Sequence, residues 1–175
     1  HAAAALQALE LIEPAILENT ELLENGITNI SLMGRYQTIS SNPEIVLDVA
    51  HNADSAEKLM GNLDKESKKN TIAVIGVLKD KDVYSLIKPM ISNVDKWYCG
   101  TINSDRGMNS EEIKIRMSSA INQKNIKTFD SIDEACSQAM ASLGENDRLV
   151  VYGSFYTVSE FLDYYESIDK NRGIM

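Results

Sequence analysis

The stretch Glu44-Ile45-Val46-Leu47-Asp48-Val49-Ala50-His51-Asn52 constrains the fold of this chain more than any other. An apolar run of that length, rich in β-branched residues, is a strand buried in a sheet. His51 and Asn52 come where the strand should stop and a helix should start. In an open α/β sheet, ligands sit outside the carboxyl ends of the strands, often against a helix N-terminus. The pattern then repeats. Apolar runs at 71–77, 96–100, 126–129 and 148–152 predict further strands, and helical patterns fill 54–65, 83–91, 110–122, 131–143 and 157–165. Asn109 or Ser110 should cap the helix at 110, and Ser131 with Glu134 should form a capping box. Strands alternating with helices imply a parallel sheet with helices on both faces.

Upstream the chain reads differently. Residues 1–12 are strong helix formers, with Leu6, Leu9 and Ile12 on one face. Pro14 should open a second helix, which Asn25-Gly26 should end. An irregular piece follows, with β-prone residues from Tyr36 to Ile39 and a turn at Ser40 to Pro43. These changes place a boundary near 31–34, between a helical segment (1–31) and one α/β domain (32–175). The opening H-A-A-A-A starts in the middle of a helical pattern, as a piece of a longer chain would. The tail D-K-N-R-G-I-M should be frayed.

Charge and composition exclude several functions. A formal net charge of −9 over 175 residues argues against a nucleic-acid or anionic-membrane surface, since both need clustered Lys and Arg. It leaves room for a small anionic ligand held by one or two local cations. No run of about 18 apolar residues is available to span a membrane, and no basic segment precedes an apolar core as in a signal peptide. Cys99 and Cys136 lack CxxC spacing, so a zinc site or disulfide framework is not expected; two reduced thiols in a cytoplasmic protein are.

Four polar clusters fall at strand ends: Asp48 to Asn52, Gly76 to Asp82, Asn103 to Met108, and Gly153 to Tyr156. Each alone has a plain explanation. Polar loops follow strands because solvent demands it, Gly76 and Gly153 allow tight turns, and His51 and Asn52 can cap a helix. Together they gather at one edge of a parallel sheet, the usual place for a ligand in this architecture. No nucleophile–base–orienter triad is apparent. The chain has no GxxxxGK[ST] loop and no GxGxxG fingerprint, so if the domain works on ATP the main phosphate cradle lies elsewhere.

In order, these motifs resemble the C-terminal domain of folylpolyglutamate synthase / dihydrofolate synthase, in the Mur ligase superfamily. ENGITNISLMGRYQ resembles the family's "GL…PGR" entry, with Met33 in place of the usual Pro. EIVLDVAHNADSAEKL is similar to "LDGAHNP", with Val49 for Gly and Ala53 for Pro. VIGVLKDKDVYSLIKPM resembles "GVLADKD", NSDRGM resembles the "PRAL" loop, and VVYGSFYTVSEF is similar to "GSFYLVGE". The similarity runs through nearly the whole chain.

The resemblance implies a Rossmann-like, mostly parallel α/β sheet with helices on both faces, preceded by a helical C-terminal remnant of a central ATPase domain (1–31). It implies part of an ATP-dependent, amide-bond-forming ligase that joins L-glutamate to folates or dihydropteroate through an acyl phosphate. ATP and Mg2+ would serve the full-length enzyme, held mainly by the N-terminal ATPase domain of the same polypeptide, and the fragment would be inactive alone. Arg35 matches the family's nucleotide-contacting Arg, where a guanidinium neutralises charge during phosphoryl transfer. Asp48 matches its nucleotide-contacting Asp, able to accept from ribose hydroxyls or to orient Arg35. His51 matches the "AHN" His near the interdomain cleft, and Asn52 would cap the next helix or orient the loop. Arg106, Ser154 and Tyr156 are implied in amino-acid binding or loop shaping. No catalytic residue and no metal ligand is expected in this segment. The family often has a nucleotide-contacting Asn just before the Ala-rich helix; here that place is His1, and no role is carried over. A monomer without nucleic-acid or membrane partners is expected. Two other readings are a peptidoglycan-building Mur ligase, against which the DVAHN and GSFY spellings count, and a non-catalytic α/β binding domain that kept only the fold.

Overall fold

The computed structural model of the chain describes residues 2–28, 32–65 and 69–172. The chain divides into two compact units, His1–Met33 and Gly34–Met175.

In the first unit, helix α1 spans Ala2–Ile12 and a 3-10 turn spans Pro14–Glu18. Helix α2 spans Thr20–Thr28. The sequence predicts one helix from Pro14 to Asn25. The break comes at Asn19, whose side-chain oxygen accepts the Leu22 N–H at 2.9 Å. Asn competes for local backbone donors in this way and starts a new helix where an old one might have run on. Gly26 does not stop α2; a helix tolerates an interior glycine at a cost of about 1 kcal/mol.

The second unit is built on a six-stranded sheet in the order β1-β2-β6-β3-β4-β5. The strands are β1 Gln37–Ser41, β2 Glu44–Asp48, β3 Thr71–Ile75, β4 Lys96–Gly100, β5 Ile126–Phe129 and β6 Arg148–Tyr152. Five run parallel, as the alternation requires. The sixth, β1, pairs antiparallel with β2 through a tight turn containing a cis Asn42–Pro43 bond. The β-prone residues near Tyr36 therefore form an edge strand that sequence alternation does not reveal. Helices α3 (Ala53–Leu63), α4 (Val83–Ile87) and α5 (Ser110–Met117) cover one face; α6 (Ile132–Ala141) and α7 (Phe155–Arg172) cover the other. Alternate residues of each central strand feed the two cores: Val46, Ala73 and Val150 on one side, Ile45, Ile72 and Leu149 on the other. All residues of β2, β3 and β6 are buried.

Helix ends depart from the sequence reading where a side chain decides them. Pro89 turns the end of the predicted 83–91 helix into a 3-10 turn, because it has no N–H to give. Asn109 caps α5, and the Ser118 hydroxyl bonds back to the Lys114 carbonyl at 2.7 Å where the helix ends early. Ser131 caps α6, but the Glu134 carboxylate reaches the N–H of Asp130 rather than that of Ser131. The segment Asp169–Arg172, expected to fray, belongs to α7; Val158, Phe161, Leu162 and Tyr165 keep a helical apolar stripe against the core, and Phe161 stacks on Tyr165 at 5.8 Å. The last three residues and His1 lie outside the described residues. Among the described residues no helix is long and apolar enough to cross a membrane.

Candidate functional site

Strand β6, last in sequence, lies between β2 and β3. Asp48, Tyr152 and Ile75 are register neighbours at the carboxyl ends of these three strands. The loops that leave them are consequently stitched together. Gly153 donates its N–H to the Ala50 carbonyl at 3.0 Å, and the Thr157 hydroxyl donates to the Gly76 carbonyl at 3.0 Å. Gly153 has φ +116°, and a Cβ there would stand 2.4 Å from the Gly76 oxygen, so only glycine closes this junction.

Asp48 is 9% exposed, and both carboxylate oxygens serve the backbone. Oδ2 accepts the Tyr36 N–H at 2.9 Å and Oδ1 accepts the Ala50 N–H at 2.7 Å. Burial pushes this carboxyl above the ordinary aspartate value, against the opposing pull of the two N–H donors and of the Arg35 and His51 charges. Arg35 is exposed in the turn that Asp48 holds. The structure thus brings Arg35 and Asp48 together, with Asp48 organising the turn that carries Arg35.

His51 is half-buried just past β2. Its Nδ1 lies 2.9 Å from the Val49 carbonyl, which can only accept, so Nδ1 carries the proton of this contact. Asn52 is the N-cap of α3: its side-chain oxygen accepts the Ser55 N–H at 2.9 Å, and the Ser55 hydroxyl in turn accepts the Asn52 N–H at 3.2 Å. Ser154 is 2% exposed; its hydroxyl accepts the Thr157 N–H at 3.0 Å and shares a 2.8 Å bond with the Thr157 hydroxyl. Both side chains have helix-starting work in hand.

A cavity of about 240 Å³ opens at this edge, lined by His51, Leu78, Lys81, Arg106, Gly153, Ser154, Phe155 and Tyr156. Four residues singled out in the sequence meet here; Arg35, Asp48 and Asn52 are not among its walls. Lys81, Leu78 and Phe155 are additions. Lys81 lies in a quoted cluster, but nothing in K-D-K-D says which lysine faces the cavity. Asp80 pairs with Lys81 at 2.9 Å and with Arg106 at 3.4 Å, and its carboxyl is held below the usual range first of all by Lys81. Lys81 and Arg106 are the cations that an anionic ligand would meet in this cavity, each beside Asp80.

The loop bearing Arg106 is fixed against the one bearing Lys81. Lys79 N–H donates to the Arg106 carbonyl at 2.9 Å, Lys79 Nζ donates to the Asp105 carbonyl at 2.9 Å, and Met108 N–H donates to the Val77 carbonyl at 2.9 Å. Gly107 makes that approach possible, since a Cβ there would overlap the Ile102 oxygen at 1.9 Å. A larger hollow of about 610 Å³ lies at the opposite edge, between Asn42-Pro43 and Tyr164-Tyr165, and no charged side chain lines it. Among the described residues no group of three His, Cys, Asp or Glu could hold a metal ion.

The sequence profile of the family "Mur ligase, glutamate ligase domain" matches residues 34–155. The chain is 37% identical over 174 residues to the dihydrofolate synthase/folylpolyglutamate synthase of Escherichia coli strain K12, covering 98% of this chain and 38% of that protein. The corresponding protein of Buchnera aphidicola subsp. Baizongia pistaciae is 36% identical, covering 90% of this chain and 36% of its own length. Among solved structures, E. coli FolC in complex with DHPP and ADP superposes with a TM-score of 0.77 at 35% identity, over 88% of this chain and 35% of that one. The bifunctional folylpolyglutamate synthase/dihydrofolate synthase with Mn, AMPPNP and L-glutamate bound superposes with a TM-score of 0.77 at 30% identity, over 85% of this chain and 35% of that one. The chain therefore spans little more than a third of the length of these two relatives.

Proposed function

The chain belongs to the Mur ligase family, as its glutamate ligase domain, and from that premise we propose that it forms the C-terminal part of an ATP-dependent ligase joining L-glutamate to folates or dihydropteroate. The observation that carries the reading is the division of labour along one sheet edge. A turn presenting Arg35 hangs from Asp48, and a separate cavity is lined by His51, Lys81, Arg106 and Tyr156. The first is suited to a nucleotide's phosphates; the second is suited to an acidic amino acid.

ATP with Mg2+, when bound, would supply the phosphoryl group that activates the folate-side carboxylate; the glutamate amine would then attack the acyl carbon, forming the amide as phosphate leaves. The residues of this chain do the holding. Arg35 neutralises phosphate charge. Lys81 and Arg106 draw in the carboxylates of glutamate. His51, with Nδ1–H fixed on Val49, holds its ring at the cavity wall. Asn52 and Ser154 contribute by fixing the starts of α3 and α7. The phosphate loop and metal ligands come from the N-terminal ATPase domain, to which the helical unit 1–33 belongs as its end. The cytoplasm, which supplies ATP and keeps thiols reduced, suits the buried, unbridged Cys99 and Cys136. The 175-residue chain alone should accordingly be inactive, its activity requiring the ATPase domain.

In the full-length ligase, R35A should lower kcat/KM for ATP by about 100-fold, the usual effect of deleting one charge-stabilising contact. ATP kinetics unchanged by R35A would sink the nucleotide assignment. Glutamate ligation by the purified chain alone would sink the division of labour.

A further inference from the structure

The Gly34-Arg35-Tyr36 turn holds Tyr36 in a conformation that a tyrosine does not favour. Gly34 has φ +68° and Tyr36 has φ +41°, so both flanks of Arg35 lie in the left-handed region. A non-glycine residue stays there only when its surroundings over-determine it. Gly34 admits no side chain, since a Cβ would stand 2.8 Å from Val49 Cγ1.

Three hydrogen bonds fix the turn. Val49 N–H donates to the Gly34 carbonyl at 2.7 Å, and Tyr36 N–H donates to Asp48 Oδ2 at 2.9 Å; both lead to the end of β2. The third closes the turn on itself. Gly34 N–H donates to the side-chain oxygen of Gln37 at 2.9 Å. Gln37 is the first residue of β1 and stands opposite Leu47 in the sheet. Its side chain thus carries the rigidity of the sheet back across the turn, bracketing Arg35.

We propose that Gln37 is a positioning residue whose amide oxygen clasps Gly34 and thereby aims Arg35. The role rests on the reading of Arg35 as the nucleotide contact, and Gln37 acts through it.

Two measurements separate the clasp from its consequence. In the isotope-labelled chain, amide exchange at Gly34 followed by NMR should speed up roughly 3- to 12-fold in Q37M, the worth of one ordinary hydrogen bond. It should stay slow in Q37E, which keeps an acceptor. In the full-length ligase, Q37M should raise KM for ATP by a similar factor, about 3- to 12-fold. It should leave KM for glutamate unchanged and add nothing to the loss already caused by R35A. Unchanged Gly34 exchange in Q37M overturns the clasp. An equal ATP loss from Q37M with and without Arg35 overturns the aiming role. Wild-type ATP kinetics in R35A would instead bring down the nucleotide assignment and the aiming with it, while Gly34 exchange would still read the clasp.

Discussion

Replacing Asp48 tests whether this carboxylate holds the site together. Its two oxygens accept the N–H groups of Tyr36 and Ala50 at 2.9 and 2.7 Å. Ala50 is fully buried, so water cannot take over that bond. Each bond to an ionised acceptor contributes about 1.5–3 kcal/mol, against which stands the cost of burying the charge. D48A loses both bonds and should destabilise by about 2–4 kcal/mol net. D48N keeps one acceptor but turns an NH2 toward the other N–H, and should cost roughly 1.5–3 kcal/mol. Urea unfolding at neutral pH measures this through Trp97, the single tryptophan, which is buried in the α/β unit. Either variant within about 0.5 kcal/mol of wild type would refute an anchoring role, because ordinary surface substitutions fall in that range. The pH dependence adds a signed test. Burial raises the folded-state pKa of Asp48 above the ordinary 3.8. The group therefore contributes stability that is fully present below 3.8 and is lost as pH rises through the folded value. The gap between wild type and D48N should narrow over that window. A gap that widens would show that the two N–H donors outweigh burial.

At the opposite end of the same strand, Glu44 bonds Arg148 at 2.7 Å and Lys69 at 2.9 Å. Burial pushes its carboxyl up, but the two cations outweigh it and hold it below 4.5, so its contribution is present above 4.5 and is lost as pH falls through the folded value. E44Q should cost about 3–5 kcal/mol at neutral pH and flatten the acid limb of stability, measured by denaturant unfolding across pH. G153A should destabilise by at least about 1–3 kcal/mol, the cost of a strained left-handed residue, and should shift the NMR resonances of Gly76 and Thr157, which share that junction. Cys99, pushed up to about 12 by burial, and Cys136, pushed higher still, should not react with a thiol reagent until the domain unfolds.

Much of the α/β unit is legible without coordinates. The runs at Lys96–Gly100, Ile126–Phe129 and Arg148–Tyr152 are strands residue for residue. Short apolar runs bounded by polar residues have little else to form once helices alternate with them. Helix ends are less legible because single side chains decide them. Asn19 splits a predicted helix, and Ser154 starts α7 two residues before the predicted Thr157. The antiparallel β1 escapes because none of its residues is fully buried and it lacks the continuous apolar run of a central strand.

The sequence by itself determined the class of fold and the strand ends where polar groups gather, and its resemblance to the family singled out Arg35 and Asp48. Only the tertiary structure decided what each group can reach. Strand β6 inserts between β2 and β3, about a hundred residues from the first, and this non-local step brings His51, Lys81 and Tyr156 around one cavity. It also shows that Asp48 serves two backbone N–H groups and that the Ser154 hydroxyl is taken by Thr157. Periodicity reports which face of a strand is buried; it carries no record of which strand lies alongside, and hydrogen-bond partners follow from neighbours.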